Sequence, residues 1–219
     1  MEEKTYYVNV HTHDETDDEN VFGIITYRIG VDKVETDIPY TCGIHPWDTM
    51  DVDINSIRPL INNNENLYGI GEIGLDYYNG QKNRNIQILY FTKQLDIAVE
   101  LSKIVVIHCV KAYDDLTAVL SEYMPKLRGV IIHSFVGDTV LAKKLTDMGA
   151  YLSFGPRSLK SPKTVEALKA VPADKIFIEN DDSGDDIIEL YGMAAEKMGM
   201  EKEQLKDIVW QNFKTLFEV

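Results

Sequence analysis

From residue 66 onward, short apolar runs alternate with helix-length amphipathic segments, the rhythm of βα units that build a parallel sheet. The pattern predicts strands over Leu67–Gly71, Ile104–His108, Gly129–His133, Ala150–Phe154 and Lys175–Glu179. Asn83–Ser102 carries apolar residues at Ile86, Leu89, Tyr90, Leu95, Ala98, Val99 and Leu101, close to helical period. Further helices are predicted over 112–124, 138–148, 161–170, 185–199 and 202–218.

The first 45 residues break this rhythm: Tyr6–Val10, Val21–Tyr27 and Ile38–Ile44 read as strands with no helix-length segment between them. A parallel crossover usually takes a dozen or more residues. Only Asp14–Asn20 separate His13 from Val21, so Val21–Arg28 is expected to run antiparallel or to form a hairpin with the strand leading to Ile44. The expected fold class is α/β, a TIM-like (β/α) barrel that is irregular in its first quarter and lacks its first helix. At 219 residues the chain fits one domain, 1–219, around one core.

Charge narrows the partners. The net charge of −14 repels long nucleic acid, so stable duplex binding is not expected. Two divalent ions in a cleft would add about four positive charges, enough for brief contact with a nucleic-acid end. The start, Met-Glu-Glu-Lys-Thr-Tyr-Tyr, has no basic and apolar leader pattern, and no run approaches the ~18 apolar residues of a membrane span, so a cytoplasmic location without membrane contact is expected. Cys42 and Cys109 each stand beside a histidine-bearing strand end and read as reduced packing thiols.

The candidate chemistry lies in five histidines. His11, His45, His108 and His133 directly follow short apolar strands, and His13 lies two residues beyond His11. In a parallel barrel the strand ends share one functional mouth, and side chains at i and i+2 point the same way, so His11 and His13 can hold one ion together. A single strand-end histidine is more often structural, but five together with carboxylates at matching strand ends, Glu72 and Asp181, favour a metal centre. Zinc accepts this mixture of imidazole and carboxylate, and manganese and magnesium tolerate it.

Six ordered segments then carry a resemblance over essentially the whole chain: Val10–His13, Cys42–Trp47, Ile70–Tyr77, Val105–Cys109, Ile131–Phe135 and Ile178–Asp181. In these the sequence resembles the TatD family of metal-dependent hydrolases. The resemblance implies that His11, His13 and Asp181 hold one divalent ion, that His108 and His133 hold a second, and that Glu72 bridges or shares them. It implies a phosphodiesterase or deoxyribonuclease that uses a metal-activated water on single-stranded DNA ends, with Asp181 taking the proton. The sequence departs from the family pattern at Asn9, where aspartate is usual, at Asn180, where threonine is usual, and at Val110, where a basic residue is frequent.

Around this set, His45 either contacts a leaving group or phosphate, or orients a ligand and fixes the Pro46-Trp47 turn. Asp76, Tyr77 and Tyr78 either shape the cleft or pack its rim. Lys111 and Arg157 are candidate phosphate contacts whose alternative is a solvated surface charge. Two functional alternatives stand beside the leading one. The same metal site could hydrolyse a small phosphoester, lactone or amide, which the acidity and shortened loops after the first motif and after Asp181 favour; or the barrel binds metal without catalysis. A phosphoesterase of the polymerase-and-histidinol-phosphatase type also begins with His-x-His, but it needs further histidines that this chain lacks.

Overall fold

Residues 4–61, 64–78 and 83–218 are described by the structure, a computed structural model. In chain order the elements are β1 (Tyr7–Thr12), β2 (Val21–Arg28), β3 (Tyr40–Gly43), α1 (Ile57–Leu60), β4 (Leu67–Asp76), α2 (Arg84–Leu101), β5 (Ile104–Val110), α3 (Tyr113–Tyr123) and β6 (Val130–Ile132). They continue with α4 (Thr139–Asp147), β7 (Tyr151–Phe154), α5 (Pro156–Lys160), α6 (Pro162–Ala170), β8 (Ile176–Ile178), α7 (Ile187–Met198) and α8 (Lys202–Phe217). Three-residue 3-10 turns cover Pro46–Asp48, Ile54–Ser56 and Ala173–Lys175. The chain divides into two compact units: Ile25–Ile132, and Met1–Ile24 with His133–Val219.

In the 25–132 unit the strands pair in the order β2-β3-β4-β5-β6, all parallel. The antiparallel strand or hairpin expected at Val21–Arg28 is therefore corrected: Ile25–Arg28 lie parallel to Tyr40–Gly43. Residues 29–39, about a dozen, are enough for the return crossover without a helix, and no helix lies between β1 and β3 among the described residues. The absence of a first helix is as expected; the strand direction is not.

Helix α2 covers this sheet with a different face from the one its apolar residues suggest. Its buried residues are Gln87, Phe91, Gln94, Leu95 and Ala98, while Leu89 is exposed. Both glutamines clamp strand ends by their amides: Gln94 accepts the Ile44 N–H (2.7 Å) and donates to the Ile44 carbonyl (3.1 Å). Gln87 does the same for Asp76, at 2.8 and 3.0 Å. A buried amide is tolerated because each polar atom finds a backbone partner.

The other unit pairs β7 with β8 in parallel, and β8 continues into a parallel bridge between Asp181 and Thr12 of β1. All six residues of β1 are buried. Helix α8 packs Leu205, Val209, Phe213 and Leu216 inward at helical period, and Asn212 ties α8 to the carbonyls of Ala173 and Ile176 at 2.8 and 2.9 Å. The Tyr191 hydroxyl, wholly buried, both accepts from and donates to the backbone of Val8.

Both cysteines are thiols. Burial pushes the Cys42 thiol up to about 12 and raises that of Cys109 further, which suits inert packing groups. No helix among the described residues is long and apolar enough to cross a membrane.

Candidate metal centres

The first cluster belongs to the unit formed by residues 1–24 and 133–219. Backbone bonds fix its frame: the Asp181 N–H donates to the His11 carbonyl, and the His13 N–H donates to the Asp181 carbonyl, each at 3.3 Å. The ends of β1 and β8 are thereby aligned, and the side chains of His11 and His13, two residues apart, turn to the same carboxylate. Asp181 Oδ1 lies 3.5 Å from His11 Nε2 and 3.8 Å from His13 Nε2. The His133 ring is 4.2 Å from that of His11, and one donor atom each of His11, His133 and Asp181 falls within 4.8 Å of the others.

These spacings exceed those of a well-formed hydrogen bond. They match donors around one ion, since two atoms each ~2.1 Å from a tetrahedral centre lie ~3.4 Å apart. Asp181 holds a left-handed backbone, φ 56°, as does Ser134, φ 45°, directly after His133. Non-glycine residues in this region concentrate where a site over-determines the chain.

Glu179, to which the sequence alone assigns no role, also belongs to this cluster. It is wholly buried; its Oε1 accepts the Ser134 N–H at 2.7 Å and lies 3.4 Å from His133 Nδ1. Its Oε2 has no hydrogen-bond partner among the described residues. A buried carboxylate oxygen without a donor is costly, and a nearby cation offsets that cost. The available signal was position: Glu179 directly follows β8 and stands two residues before Asp181.

The second cluster belongs to the 25–132 unit. Register slips between Ile70 and Ile73 of β4 as it pairs with β5, so the bulge falls at Gly71–Glu72 and re-aims the Glu72 side chain. Gly74, at φ 143°, lets β4 approach β5 closely: a Cβ there would meet the His108 carbonyl oxygen at 2.1 Å. Glu72 Oε1 lies 2.6 Å from His108 Nδ1 and 3.4 Å from His45 Nε2, and the three side chains can offer donors within 4.8 Å of one another.

Hydrogen bonding separates the roles of these residues. His45 Nδ1 accepts the Trp47 N–H at 3.1 Å, so the neutral ring carries its proton on Nε2, facing Glu72. Burial lowers the His45 pKa and keeps it neutral. His45 thus both fixes the Pro46-Trp47 turn and supports Glu72, and its donor arrangement does not suit ligation.

His108 has a carboxylate at each ring nitrogen, Glu72 at Nδ1 and Asp76 Oδ2 at Nε2, 3.0 Å away. Asp76 also accepts the Trp47 Nε1–H at 2.8 Å and the Tyr78 N–H at 2.7 Å. Burial acts to raise its pKa, but the bonds from His108, Tyr78 and Trp47 outweigh it and hold the carboxyl down at about 2. An ionised carboxylate so tied down is the usual partner of a metal-bound histidine, fixing its ring while the other nitrogen turns to the ion. Asp76 is therefore placed to orient His108.

Of the six expected ligands, His11, His13, His133 and Asp181 belong to one unit and Glu72 and His108 to the other. His133 joins the group of His11 and Asp181. The donor types in both groups fit a borderline divalent ion. Lys111, at φ 53°, places its ammonium 4.6 Å from the ring centre of Tyr78. Arg157 is exposed on α5. The two residues paired off from the family pattern meet each other: Asn9 Nδ2 donates to Asn180 Oδ1 at 2.8 Å, and Asn180 N donates to Asn9 Oδ1 at 3.2 Å.

A solved TatD homologue from Escherichia coli K12 superposes with a TM-score of 0.83 at 17% identity, covering 97% of this chain and 98% of its own. A TatD-family hydrolase from Entamoeba histolytica gives 0.81 at 15% identity, covering 97% and 98%. The fold is accordingly the TIM-like (β/α) barrel, with eight parallel strands in chain order. The family model described as TatD related DNase matches residues 30–218, and the chain belongs to this family of metal-dependent hydrolases. Among its relatives, an uncharacterized metal-dependent hydrolase of Buchnera aphidicola is 35% identical over 182 residues, 81% of this chain and 67% of that protein. One of Bacillus subtilis is 34% identical over 146 residues, 64% of this chain and only 56% of that protein. Deoxyribonuclease Tat-D of Schizosaccharomyces pombe is 32% identical over 117 residues, 52% of this chain and 38% of that one.

Proposed function

We propose that the protein is a metal-dependent phosphodiesterase acting on single-stranded DNA ends, with a divalent ion, zinc, manganese or magnesium, at each donor cluster. The observation that carries this reading is the Asp181 carboxylate, 3.5 and 3.8 Å from two histidine Nε2 atoms of one strand end. DNA as substrate draws support from relatives named deoxyribonucleases, one in Schizosaccharomyces pombe and a putative one in Enterocytozoon bieneusi.

When bound, the ions supply Lewis acidity toward phosphoryl oxygens and acidify a water. The remaining work falls to the protein. Asp181 turns Oδ1 toward His11 and His13, and its carboxylate is the group to take the proton of the attacking water. Asp76 holds the Nε2 side of His108, so Nδ1 stays turned toward Glu72, the carboxylate with which it would share an ion. Lys111, just after the His108 strand, and Arg157, exposed on α5, are the candidate cations for contact with phosphate.

A second reading, hydrolysis of a small phosphoester, lactone or amide, is favoured by the net charge of −14. A panel separates them: protein reconstituted with each metal in turn is assayed on single-stranded DNA, RNA, simple phosphoesters and lactones. Turnover of single-stranded DNA exceeding that of every small substrate supports the proposal. Lactone or phosphomonoester hydrolysis with DNA untouched would replace it with the second reading.

A further inference from the structure

Trp47 is an exposed aromatic residue held rigidly beside a catalytic-type cluster. The residue is 62% exposed, yet it is anchored at three points. Its Nε1–H is bound by Asp76 at 2.8 Å, its backbone N–H by His45 at 3.1 Å, and its ring lies edge-on to that of His45 with centres 4.6 Å apart. The Arg28 guanidinium sits over it, 5.7 Å from the ring centre, and is itself bound in two-pronged fashion to Asp48 at 2.6 and 2.9 Å. The ring centre is 6.1 Å from that of His108.

Leaving this much indole in water forfeits the free energy that burial would give, and a residue needed only for packing would turn its face inward. Its polar edge is already satisfied by a buried carboxylate, so what remains exposed is a flat apolar surface with no hydrogen-bonding demand. Because the side chain is pinned, a group stacking on it would cost no rotamer entropy. The same Asp76 carboxylate ties Trp47 to His108 and to the backbone N–H of Tyr78, a residue 67% exposed whose ring faces the Lys111 ammonium. Flat aromatic surface next to an ammonium is the combination that receives a base and its phosphate in single-strand recognition.

We propose that Trp47 is a stacking platform for a nucleobase of the substrate, set one nucleotide's reach from His108 and Glu72. The assignment rests on the nucleic-acid reading above and gives it a subsite. It predicts dependence on the base, with little preference among bases, since every base offers a π face.

The probes are a thymidine tetranucleotide and the same sugar-phosphate chain with abasic residues at its ends. The chain has two tryptophans; the other, Trp210, is stacked on Phe213 in α8 and is changed to phenylalanine to leave Trp47 as the only emitter. The base-bearing probe should quench Trp47 emission and the abasic one should not. With metal present, the ratio of kcat/KM for the two probes should be roughly 5 to 100. Trp47→Ala should bring that ratio to about 1, while Trp47→Phe, which loses the Asp76 bond but keeps a stacking ring, should retain most of it. Using the ratio cancels any loss from a disturbed Asp76. Equal quenching by both probes, or a ratio unchanged in Trp47→Ala, overturns the platform even if DNA is cleaved. If neither probe is cleaved, the nucleic-acid reading falls, and quenching by the base-bearing probe alone still decides whether Trp47 binds a base.

Discussion

Asn9 and Asn180, two residues before His11 and directly before Asp181, interlock by two hydrogen bonds, side chain to side chain at 2.8 Å and backbone N–H to side chain at 3.2 Å. Asn180 also donates from Nδ2 to the Asp185 carbonyl at 3.1 Å, which fixes its amide with Oδ1 toward Asn9. An aspartate at position 9 would face that oxygen with a second one. Asn9→Asp should therefore destabilise the protein by about 1–3 kcal/mol. Adding Asn180→Thr, which supplies a hydroxyl donor, should recover part of the loss, with a coupling of about 0.5–3 kcal/mol in a double-mutant cycle read by urea unfolding. Strict additivity of the two changes would show that the pair does not act as a unit.

The clamp between Gln94 and the backbone of Ile44 gives a second expectation. Gln94→Leu keeps the volume but leaves a buried N–H and carbonyl without their partner, so it should cost about 2–4 kcal/mol, measured by denaturant unfolding. A change below about 0.5 kcal/mol would mean that the amide is dispensable and that α2 is held by its apolar residues alone.

Glu179 offers a third. Its buried carboxylate lies beside His133 with Oε2 lacking a hydrogen-bond donor among the described residues, so its charge should matter more than its shape. Glu179→Gln is expected to weaken metal affinity at the cluster of His11, His133 and Asp181 by about 10- to 100-fold, as read by calorimetric titration. Because a neutral amide is cheaper to bury, the metal-free protein should lose no stability. Unaltered affinity in a folded variant would reduce Glu179 to a backbone anchor for Ser134.

Much of this architecture is legible in the sequence because a buried parallel strand is a short apolar run and its end is marked by a polar residue. The expected strand ending in His108 and the helix over 202–218 correspond to β5 and α8 within a few residues. The direction of Val21–Arg28 was not legible, since loop length is a weak guide when an extended segment can replace a crossover helix. The inward face of α2 was hidden because two of its buried positions, Gln87 and Gln94, are polar and pay their way through backbone bonds invisible to periodicity. At the site, histidines announce themselves by rarity and placement. The supporting carboxylates Asp76 and Glu179 do not, because in a chain with 36 acidic residues only three-dimensional contact distinguishes an orienting carboxylate from a solvated one.

The account turns on Asp181 as the proton acceptor, and the most direct test is single-turnover hydrolysis of single-stranded DNA by Asp181→Asn protein whose metal content is measured in the same sample. Asparagine keeps an oxygen toward His11 and His13 but cannot take a proton. The expected result is a folded protein that retains much of its metal and is slower by about two to four orders of magnitude, the usual contribution of a general base. Folded, metal-loaded Asp181→Asn protein with near-normal turnover would contradict the assignment.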